Sequence, residues 1–475
     1  MITVIGLDGS PLAAAESAAL AAATLVVGGR RHLVAAPPPP GAAVVELGPL
    51  DPALAALAGH DGDAVVLASG DPGFFGILRA LRERGLDCAV QPAVSSVALA
   101  FARAGLSWDD AQVVSAHGRD PRHAINVCRA HPKVAVLTGP GCGPAELGAA
   151  LAGWQRRLVV AEYLGTPAER VTSCTTAEAA SRHWDAPNVV VVLADQSPAS
   201  VPGRHWPPGA AQGGWALPEA DFGQQDAVIT KAEVRALVLA RLAPGPGQLI
   251  WDVGAGTGSV GIECARLGAA VVAIERDPRR VRLIRDNSKR HGVDVRVVEG
   301  EVVATGVARV ASATGTGGAS KSAEAPDSAG AAKSVEAPDS AGVPEVLRDL
   351  PTPDAAFIGG GGTGVVEAVV ARQPARIVVA LAAVDRVAPA YDVLGRAGYT
   401  LDGTLLQASR LSPLPGGVHR LDAINPVFIL WATRPSGVGK PTRAESADAV
   451  GGITGAQAVP TAVPTAVPTA AGGAR

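Results

Sequence analysis

The sequence predicts an α/β protein that folds into two domains. Short apolar, β-branched runs alternate with Ala- and Leu-rich stretches of helical length along both halves of the chain, as they do in α/β folds. The 475 residues are 48% hydrophobic but only 3% aromatic, which suits helices and sheets packed in close layers. A stretch rich in Pro and Gly, residues 201–225, interrupts the alternation and is predicted to link the two domains.

The first domain is predicted to span residues 1–200. Its predicted strands are Ile2–Gly6, Ala64–Ala68, Val134–Leu137, Leu158–Glu162 and Val189–Leu193. Helices are predicted between them, for example at Pro11–Thr24 and Val94–Ala104.

The second domain is predicted to span residues 226–435. Its predicted strands are Leu249–Val253, Val271–Glu275, Val295–Val298, Ala355–Ile358 and Ile377–Leu381, followed by Thr404–Leu411 and Pro426–Trp431 without a long helix between the last two. Five strand–helix units and a terminal hairpin predict a parallel sheet with one antiparallel strand near its edge.

Two segments are predicted to be disordered. Residues 306–345 hold the near-duplicates KSAEAPDSAGA and KSVEAPDSAGV, and the tail, residues 436–475, contains a repeated AVPT unit. Such small, polar, Pro-containing repeats bury too little apolar surface to order themselves. We expect no chemistry from either segment.

Composition and charge narrow the class of protein. A net charge of −3 argues against a polyanion-binding protein, and five cysteines without a CxxC pair favour a reducing compartment over disulfides or a metal site. The N-terminus lacks the pattern of a signal peptide, and no apolar run is long enough to span a bilayer. We therefore expect a cytoplasmic protein whose partners include neither nucleic acid nor membrane. A local basic run from Arg276 to Arg290 fits either a solvated helix face or a surface that faces an anionic substrate.

The second domain carries a motif that suits an adenosyl cofactor. Strand Leu249–Val253 runs into a glycine-rich turn and then a helix whose N-terminus presents free N–H groups. The next strand ends in Glu275, where a carboxylate fits the hydroxyl pair of a ribose, and Glu301 and Val302 after the third strand are placed to bracket an adenine. The predicted contacts of the turn are Gly254, Ala255, Gly256, Thr257 and Gly258.

These residues alone leave both NAD and S-adenosylmethionine open. Two features favour S-adenosylmethionine. The glycines follow the form G-x-G-x-G, with Ser259 after the third glycine, and the terminal hairpin replaces the sixth parallel strand of a full dinucleotide fold.

Further motifs of the second domain resemble a known family. They are Thr230-Lys231-x-Glu233-Val234-Arg235, VGAGTGSVGIE at the glycine turn, AIER at 273–276, DAAFIGGGG at 354–362 and NPVFILWATR at 425–434. They look like the decarboxylating domain of the precorrin-6Y methyltransferase family of cobalamin biosynthesis, over about residues 218–435. The resemblance implies a Rossmann-like class I methyltransferase fold, with Thr230 beside the cofactor and space for a macrocycle at Gly359, Gly360 and Gly361. By their spacing alone, Thr230 and Glu233 also match a capping box that opens a helix.

The first domain resembles the tetrapyrrole methylase family. The motifs are LASGDPGFFGI at 67–77, PAVSSVALAFARAG at 92–105, VSAHGR at 114–119, VLTGPG at 136–141 and EYLGTPAERV at 162–171. They imply a class III methyltransferase α/β fold in which Asp71, Phe74, Ser95 and Ser96 bind the cofactor. Without the resemblance, Asp71 fits an Asx turn and Ser95–Ser96 a helix N-cap.

The first turn of this domain departs from the family pattern. The family usually has a G-x-G-P-G loop, whereas this chain has Gly6-Leu-Asp-Gly9-Ser. Asp8 within the turn is expected to contact substrate.

Both halves together resemble the fused, decarboxylating precorrin-6Y C5,15-methyltransferase family. The resemblance implies methylation of C5 by the first domain, and methylation of C15 with loss of the ring C acetate carboxyl by the second. It also implies one S-adenosylmethionine per domain and a homo-oligomer. It leaves open whether the substrate contains cobalt, and it identifies no catalytic residue that handles the proton of decarboxylation.

The substrate of such a family carries several carboxylates, which arginine binds well. The candidates are Arg30, Arg31 and His32 in the first half and Arg410 and Arg420 in the second, and a surface location fits each equally well. Two alternative functions remain: an NAD-dependent dehydrogenase in the second half, or a non-catalytic tetrapyrrole-binding carrier or sensor.

Overall fold

The strands form three sheets and a separate hairpin within the residues that the structure describes. The structure is a computed structural model that describes residues 1–195, 214–224, 229–302 and 344–435. The predicted tail and most of the predicted linker and insertion lie outside these ranges. None of the helices in the described ranges combines the length and apolar character needed to cross a membrane.

The first sheet is parallel throughout. Its strands are β1 (Ile2–Leu7), β2 (Leu25–Gly28), β3 (Ala43–Glu46), β4 (Ala64–Ser69) and β5 (Cys88–Gln91), in the order β3-β2-β4-β1-β5. The helices of this part are α1 (Ala14–Ala22), α2 (Arg30–Ala35), α3 (Leu50–Ala58), α4 (Leu78–Glu83) and α5 (Ser96–Ala104). Central strands β1 and β4 are mostly apolar and largely buried, because both of their faces are covered.

The second sheet is mixed, which the sequence did not predict. Its strands are β6 (Gln112–Ser115), β7 (Lys133–Leu137), β8 (Arg156–Glu162), β9 (Arg170–Thr175) and β10 (Asn188–Ala194), in the order β6-β7-β10-β8-β9. Its helices are α6 (Pro121–Ala130), α7 (Pro144–Ala150) and α8 (Thr176–Ser181). Only β6 and β7 are parallel, whereas the other neighbours in this sheet are antiparallel.

The third sheet has seven strands and lies in the second half. The strands of this half are β11 (Leu249–Val253), β12 (Ala270–Glu275), β13 (Arg296–Glu299), β14 (Ala355–Ile358), β15 (Arg376–Leu381), β16 (Thr400–Leu406), β17 (Ser409–Pro413), β18 (His419–Ala423) and β19 (Val427–Thr433). The helices are α9 (Ala232–Leu242), α10 (Ser259–Arg266), α11 (Pro278–His291), α12 (Glu345–Arg348), α13 (Thr363–Val370) and α14 (Val387–Arg396). The order is β13-β12-β11-β14-β15-β19-β16, and β19 runs antiparallel to both of its neighbours. The predicted parallel sheet with one antiparallel strand near its edge is confirmed.

One predicted strand of this half is wrong. The run Thr404–Leu411 is divided between β16 and β17, with a break at Gln407 and Ala408. The chain leaves the large sheet there, because β17 pairs with β18 in a two-stranded sheet of its own.

Part of the predicted linker is packed rather than extended. Leu217 and Phe222 are buried in a small apolar cluster with Ile229 and Ile262. The segment just before α9 therefore belongs to the core of the second half.

The two halves also touch each other. Trp154 of the first half is buried in the core beneath the third sheet. Arg156 forms an ion pair of 2.5 Å with Asp294, and Arg122 forms one of 2.7 Å with Asp354. The bounds of the two domains stay a prediction.

Candidate functional site

The carboxyl ends of five neighbouring parallel strands meet at one edge of the third sheet. Strands β13, β12, β11, β14 and β15 stand side by side in that order, so the loops that follow them are also neighbours. A cavity of about 620 Å³ opens there, between loops that are distant in sequence. It is lined by most of the predicted residues of this half: Thr230, Gly254, Ala255, Gly256, Thr257, Glu275, Glu301, Val302, Gly359, Gly360 and Gly361. In open α/β sheets, ligands bind at this edge, where the strand order reverses.

The glycine turn forms the floor of the cavity. Gly256 has a φ of 61°, and a Cβ at this position would meet no atom within 4 Å, so the turn is open to a ligand. Gly258 does not line the cavity but is the N-cap of α10. The turn and the N-terminus of α10 thus have the space and the N–H groups that an adenosyl cofactor needs.

Glu275 joins the turn to the neighbouring strand. The side chain is buried, and its Oε2 accepts a 2.8 Å hydrogen bond from the Gly256 N–H. Its Oε1 accepts hydrogen bonds from the N–H groups of Arg276 and Asp277, at 3.0 and 3.1 Å. A carboxylate has about four acceptor positions, so capacity remains for a ribose hydroxyl.

Asp252 lies one strand residue before the turn and is completely buried. Its Oδ2 accepts a 2.8 Å hydrogen bond from the Gly261 N–H, whereas its Oδ1 has no hydrogen-bond partner within the described ranges. Burial raises the pKa of this carboxyl to about 7, and the charge of Glu275 adds to the rise. Asp252 therefore fixes the first turn of α10 from below the cavity.

Thr230 lines the cavity, but the predicted capping box is wrong. Helix α9 begins at Ala232 with Lys231 as its N-cap, and no side chain caps it from that position. Glu219 takes over the role, because its Oε1 accepts a 2.8 Å hydrogen bond from the Ala232 N–H. Glu233 points instead to Arg410.

A buried ion pair supports the segment around Thr230, which lines the cavity. Arg235 and Glu263 are both fully buried, and Nε of Arg235 lies 2.5 Å from Oε1 of Glu263. Arg235 also donates to the carbonyl oxygens of Thr230 and Leu217. Glu263 accepts from the N–H groups of Ala216 and Leu217. The charges are thus compensated on every side, as a buried pair requires.

The arginines proposed from sequence for this half lie outside the cavity. Arg410 on β17 donates to both carboxylates of Glu219 and Glu233, at 2.6 to 2.8 Å, and has little capacity left for substrate. Arg420 on β18 is exposed and pairs with Asp422 at 3.0 Å.

Three other arginines line the cavity. Arg276 and Arg280 belong to the basic run, whose other members extend along α11. Arg386 was not identified from the sequence, because it lies in a loop without a recognisable motif. Its position just after the predicted strand Ile377–Leu381 was the available signal.

The first sheet gathers the predicted residues of the first half in a comparable way. Asp8 follows β1, Asp71 follows β4, and Ser95 and Ser96 follow β5, which are three neighbouring strands. Oδ2 of Asp8 accepts a 3.2 Å hydrogen bond from the Val94 N–H, which ties two of these loops together. Backbone hydrogen bonds, chiefly from Ser10, lower the pKa of the Asp8 carboxyl.

The side chains of this group nevertheless have local partners. Oδ1 of Asp71 accepts from the Gly73 N–H at 2.8 Å, which is the Asx turn, and Ser95 caps α5 by accepting from Ala98. Phe74 packs against the core that includes α5.

A cavity of about 480 Å³ lies next to this group. Asp8 and Val94 line it, together with Arg103 and Glu169, which form an ion pair of 2.5 Å. Asp71, Phe74, Ser95 and Ser96 do not line it.

The basic residues after β2 lie at the same edge of the first sheet. Arg31 donates to the hydroxyl of Ser69 at 2.5 Å, and His32 Nε2 lies 2.9 Å from the same oxygen. Burial lowers the pKa of His32 to about 4, so this imidazole is neutral near pH 7. Arg30 is exposed.

Comparison with known families defines the class of this protein. Residues 221–332 match the family described as "Precorrin methyltransferase domain", and residues 11–180 match "Tetrapyrrole (Corrin/Porphyrin) Methylases". Together with the glycine turn and acid at the edge of a parallel sheet, these matches define an S-adenosylmethionine-dependent methyltransferase.

Curated relatives specify the family. The chain is 35% identical over 392 residues to the precorrin-6Y C(5,15)-methyltransferase [decarboxylating] of Sinorhizobium sp, which covers 78% of this chain and 80% of that protein. A Mycobacterium tuberculosis protein of the same name is 38% identical over 264 residues, 52% of this chain and 62% of that protein. A probable cobalt-precorrin-6B C(15)-methyltransferase (decarboxylating) of Pyrobaculum calidifontis is 30% identical over 224 residues, 46% of this chain and 94% of that protein. The chain belongs to the precorrin-6Y C5,15-methyltransferase (decarboxylating) family.

Proposed function

We propose that this chain methylates C5 and C15 of a precorrin-6Y-type macrocycle and removes the carboxyl of the ring C acetate. The reaction belongs to cobalamin biosynthesis. The hydrogen bond from the Gly256 N–H to Glu275 carries the proposal for the second half, because it brings the glycine turn and the acid together at one cavity. The cofactor contacts named from the sequence, and Asp8 and Gly359–Gly361 as substrate contacts, are proposed to keep their roles.

Each half is proposed to act as a separate domain with its own S-adenosylmethionine. The first domain, residues 1–200, serves C5, and the second, residues 226–435, serves C15 and the decarboxylation. We also propose that the chain forms a homo-oligomer, and a cytoplasmic location stays a prediction.

The cofactor supplies, when bound, a methyl group that its sulfonium already activates. The protein therefore needs to place the reacting carbon and exclude water, rather than provide a nucleophile. Glu275 is proposed to orient the ribose, and the N–H groups of the turn to bind near it. The Gly359–Gly361 loop follows the adjacent strand β14, and its lack of side chains leaves room for the macrocycle beside the cofactor.

Decarboxylation breaks a carbon–carbon bond and leaves its electron pair on the substrate. The conjugated macrocycle is proposed to accept that pair, and a proton then takes the place of CO₂. The chain's contribution is proposed to be holding the macrocycle against the apolar side chains of Phe357 and Val365, which line the cavity.

Product analysis by mass spectrometry tests the proposal. Purified full-length chain, S-adenosylmethionine and either metal-free or cobalt-containing substrate should yield two methyl additions and the loss of one CO₂ per macrocycle. The substrate that is converted at the higher rate is the form that the enzyme uses.

The two alternative functions predict different products. NADH-dependent reduction without methyl gain would indicate a dehydrogenase. Tight macrocycle binding with no new product would indicate a carrier or sensor. Either outcome contradicts the proposal.

A further inference from the structure

Arg386 presents a cationic side chain at one end of the cavity in the second half. It closes the short 3₁₀ turn Val384–Arg386, which follows β15, and it lines the cavity. Its Nη1 donates a 2.9 Å hydrogen bond to the carbonyl oxygen of Gly361, in the loop that follows β14. The guanidinium is therefore held beside the loop that is proposed to make room for the macrocycle.

The sheet order separates Arg386 from the proposed adenosyl contacts. Glu275 ends β12, and Arg386 follows β15, which is three strands away across β11 and β14. Neighbouring strands lie about 4.8 Å apart, so this separation is roughly 14 Å. A group bound at Arg386 thus lies beyond the ribose, on the side of the Gly359–Gly361 loop.

Arg386 differs in its partners from the other arginines near the cavity. Arg276 is paired with Glu301 at 2.7 Å, and Arg280 lies 3.9 Å from Asp277. Within the described ranges, Arg386 makes no ion pair with a carboxylate, and its hydrogen bond to Gly361 goes to a neutral acceptor. Most N–H donors of its planar guanidinium remain available. Two of them can bind the two oxygens of one carboxylate.

The turn that holds Arg386 also exposes one large apolar side chain, beside the exposed Asp385. Val384 in the same turn is a large hydrophobic side chain that is 67% exposed. A flat ring system with carboxylates on its rim would cover Val384 and pair with the guanidinium at once.

We propose that Arg386 binds a peripheral carboxylate of the macrocycle during the C15 reaction, and this assignment rests on the proposed function. The carboxylate is one that the product retains. A cation paired with the departing carboxylate would stabilise a charge that disappears as CO₂ forms, and so would oppose the reaction. Arg386 is thereby a substrate-binding residue that sets which side of the macrocycle faces the methyl donor.

The test compares Arg386→Gln with the wild-type chain. Removing a charge-assisted pair should weaken macrocycle binding and raise the KM of C15 methylation by about 10- to 100-fold. Binding is measured by absorbance titration of the precorrin substrate in saturating S-adenosylhomocysteine. The affinity for S-adenosylhomocysteine, measured by calorimetry, and the ratio of CO₂ released to C15 methyl transferred should stay within about twofold of wild type, because neither depends on the pair.

Two further variants make the test specific. Arg386→Lys keeps the positive charge but lacks the planar guanidinium. It should therefore recover part of the macrocycle affinity that Arg386→Gln loses. Arg396→Gln, an exposed arginine at the end of α14 that does not line the cavity, should change nothing.

Three results would overturn the assignment. If Arg386→Gln leaves macrocycle affinity unchanged while the wild type binds S-adenosylhomocysteine, only the role of Arg386 is wrong. If the variant loses S-adenosylhomocysteine affinity equally, Arg386 shapes the Gly361 loop instead. A wild type that binds no S-adenosylhomocysteine overturns the proposed function as well.

Discussion

Both halves place their candidate residues at the carboxyl ends of parallel strands, but only in the second half do most of these residues line a cavity. In the second half, residues from the ends of five parallel strands line one cavity of about 620 Å³. In the first half, the candidates follow three parallel strands, yet Asp71 and Ser95 are hydrogen-bonded to their own loops and lie outside the 480 Å³ cavity beside Asp8. Sheet topology thus brings residues together, whereas a cavity forms only where the loops leave the edge open.

The ion pairs beside the two cavities differ in burial, and the pair in the second half is the more buried. Arg235–Glu263 supports the wall of the second cavity with side chains that are 0% and 1% exposed. Arg103–Glu169 lines the first cavity with side chains that are 48% and 21% exposed. The second site is therefore built into the core, and the first lies nearer the surface.

The largest predicted effect separates the two chemistries. Glu275→Ala should lower C15 methylation and CO₂ release by about 100-fold, while C5 methylation stays within about twofold. The variant loses a charge-assisted hydrogen bond to a ribose hydroxyl and also the hydrogen bond that the Gly256 N–H donates to Glu275. Asp71→Ala should do the reverse. Products are resolved by mass spectrometry and NMR.

Glu299→Ala is the matched control for Glu275→Ala. Glu299 pairs with Glu275 in register on the neighbouring strand but is exposed and does not line the cavity. It should leave both methylations unchanged. Equal loss of both methylations in either site variant would show that the two sites are not independent.

The next effect is on stability and comes from the ion pairs. Arg235→Met leaves Glu263 buried without its partner and should reduce the free energy of unfolding by about 3 to 5 kcal/mol. Arg103→Met removes a half-exposed pair and should reduce it by about 0 to 1 kcal/mol. Urea unfolding of both variants measures the difference, and equal losses would contradict the contrast in burial.

An effect smaller than that of Arg235→Met is expected from a change of pH. The pKa of Asp252 is raised to about 7 in the folded chain, so the folded state binds a proton that unfolded Asp loses above about pH 4. The free energy of unfolding therefore decreases as the pH rises from about 4 to about 7, because the folded state holds a proton on Asp252 that the unfolded state has released. Relative to wild type, Asp252→Asn should gain about 2 to 3 kcal/mol of stability between pH 5 and pH 8.

Asp8 should show the opposite sign. Its pKa is lowered by backbone hydrogen bonds, so its contribution to stability is present above the pKa of unfolded Asp and is lost as the pH falls. Asp8→Asn should thus be closest to wild type at low pH. Urea unfolding across the pH range measures the stability of each variant relative to wild type. If this difference changes with pH in the same direction for Asp252→Asn and Asp8→Asn, the opposite pKa shifts of the two carboxyls are wrong.

The sequence predicted the third sheet well because its signal is strong. Strands β11 and β14 have the predicted bounds, Leu249–Val253 and Ala355–Ile358, since fully buried parallel strands are continuous apolar runs. The glycine turn and Glu275 were predicted as a pair, and the structure joins them by a hydrogen bond.

Other features depend on contacts that a local pattern does not contain. Thr404–Leu411 has suitable strand residues throughout, yet nothing local marks where the chain changes its pairing partner. Glu233 has the spacing of a capping box but is taken by Arg410, 177 residues away. Strands β2 and β3 were missed, although β14, of the same length, was predicted.

Calorimetric titration of the full chain with S-adenosylhomocysteine tests the central claim most directly. We expect two binding events per chain in the wild type and one in Glu275→Ala. No heat from S-adenosylhomocysteine together with ready binding of NADH, or an unchanged stoichiometry in Glu275→Ala, would contradict the claim that the glycine turn and Glu275 form a methyl-donor site.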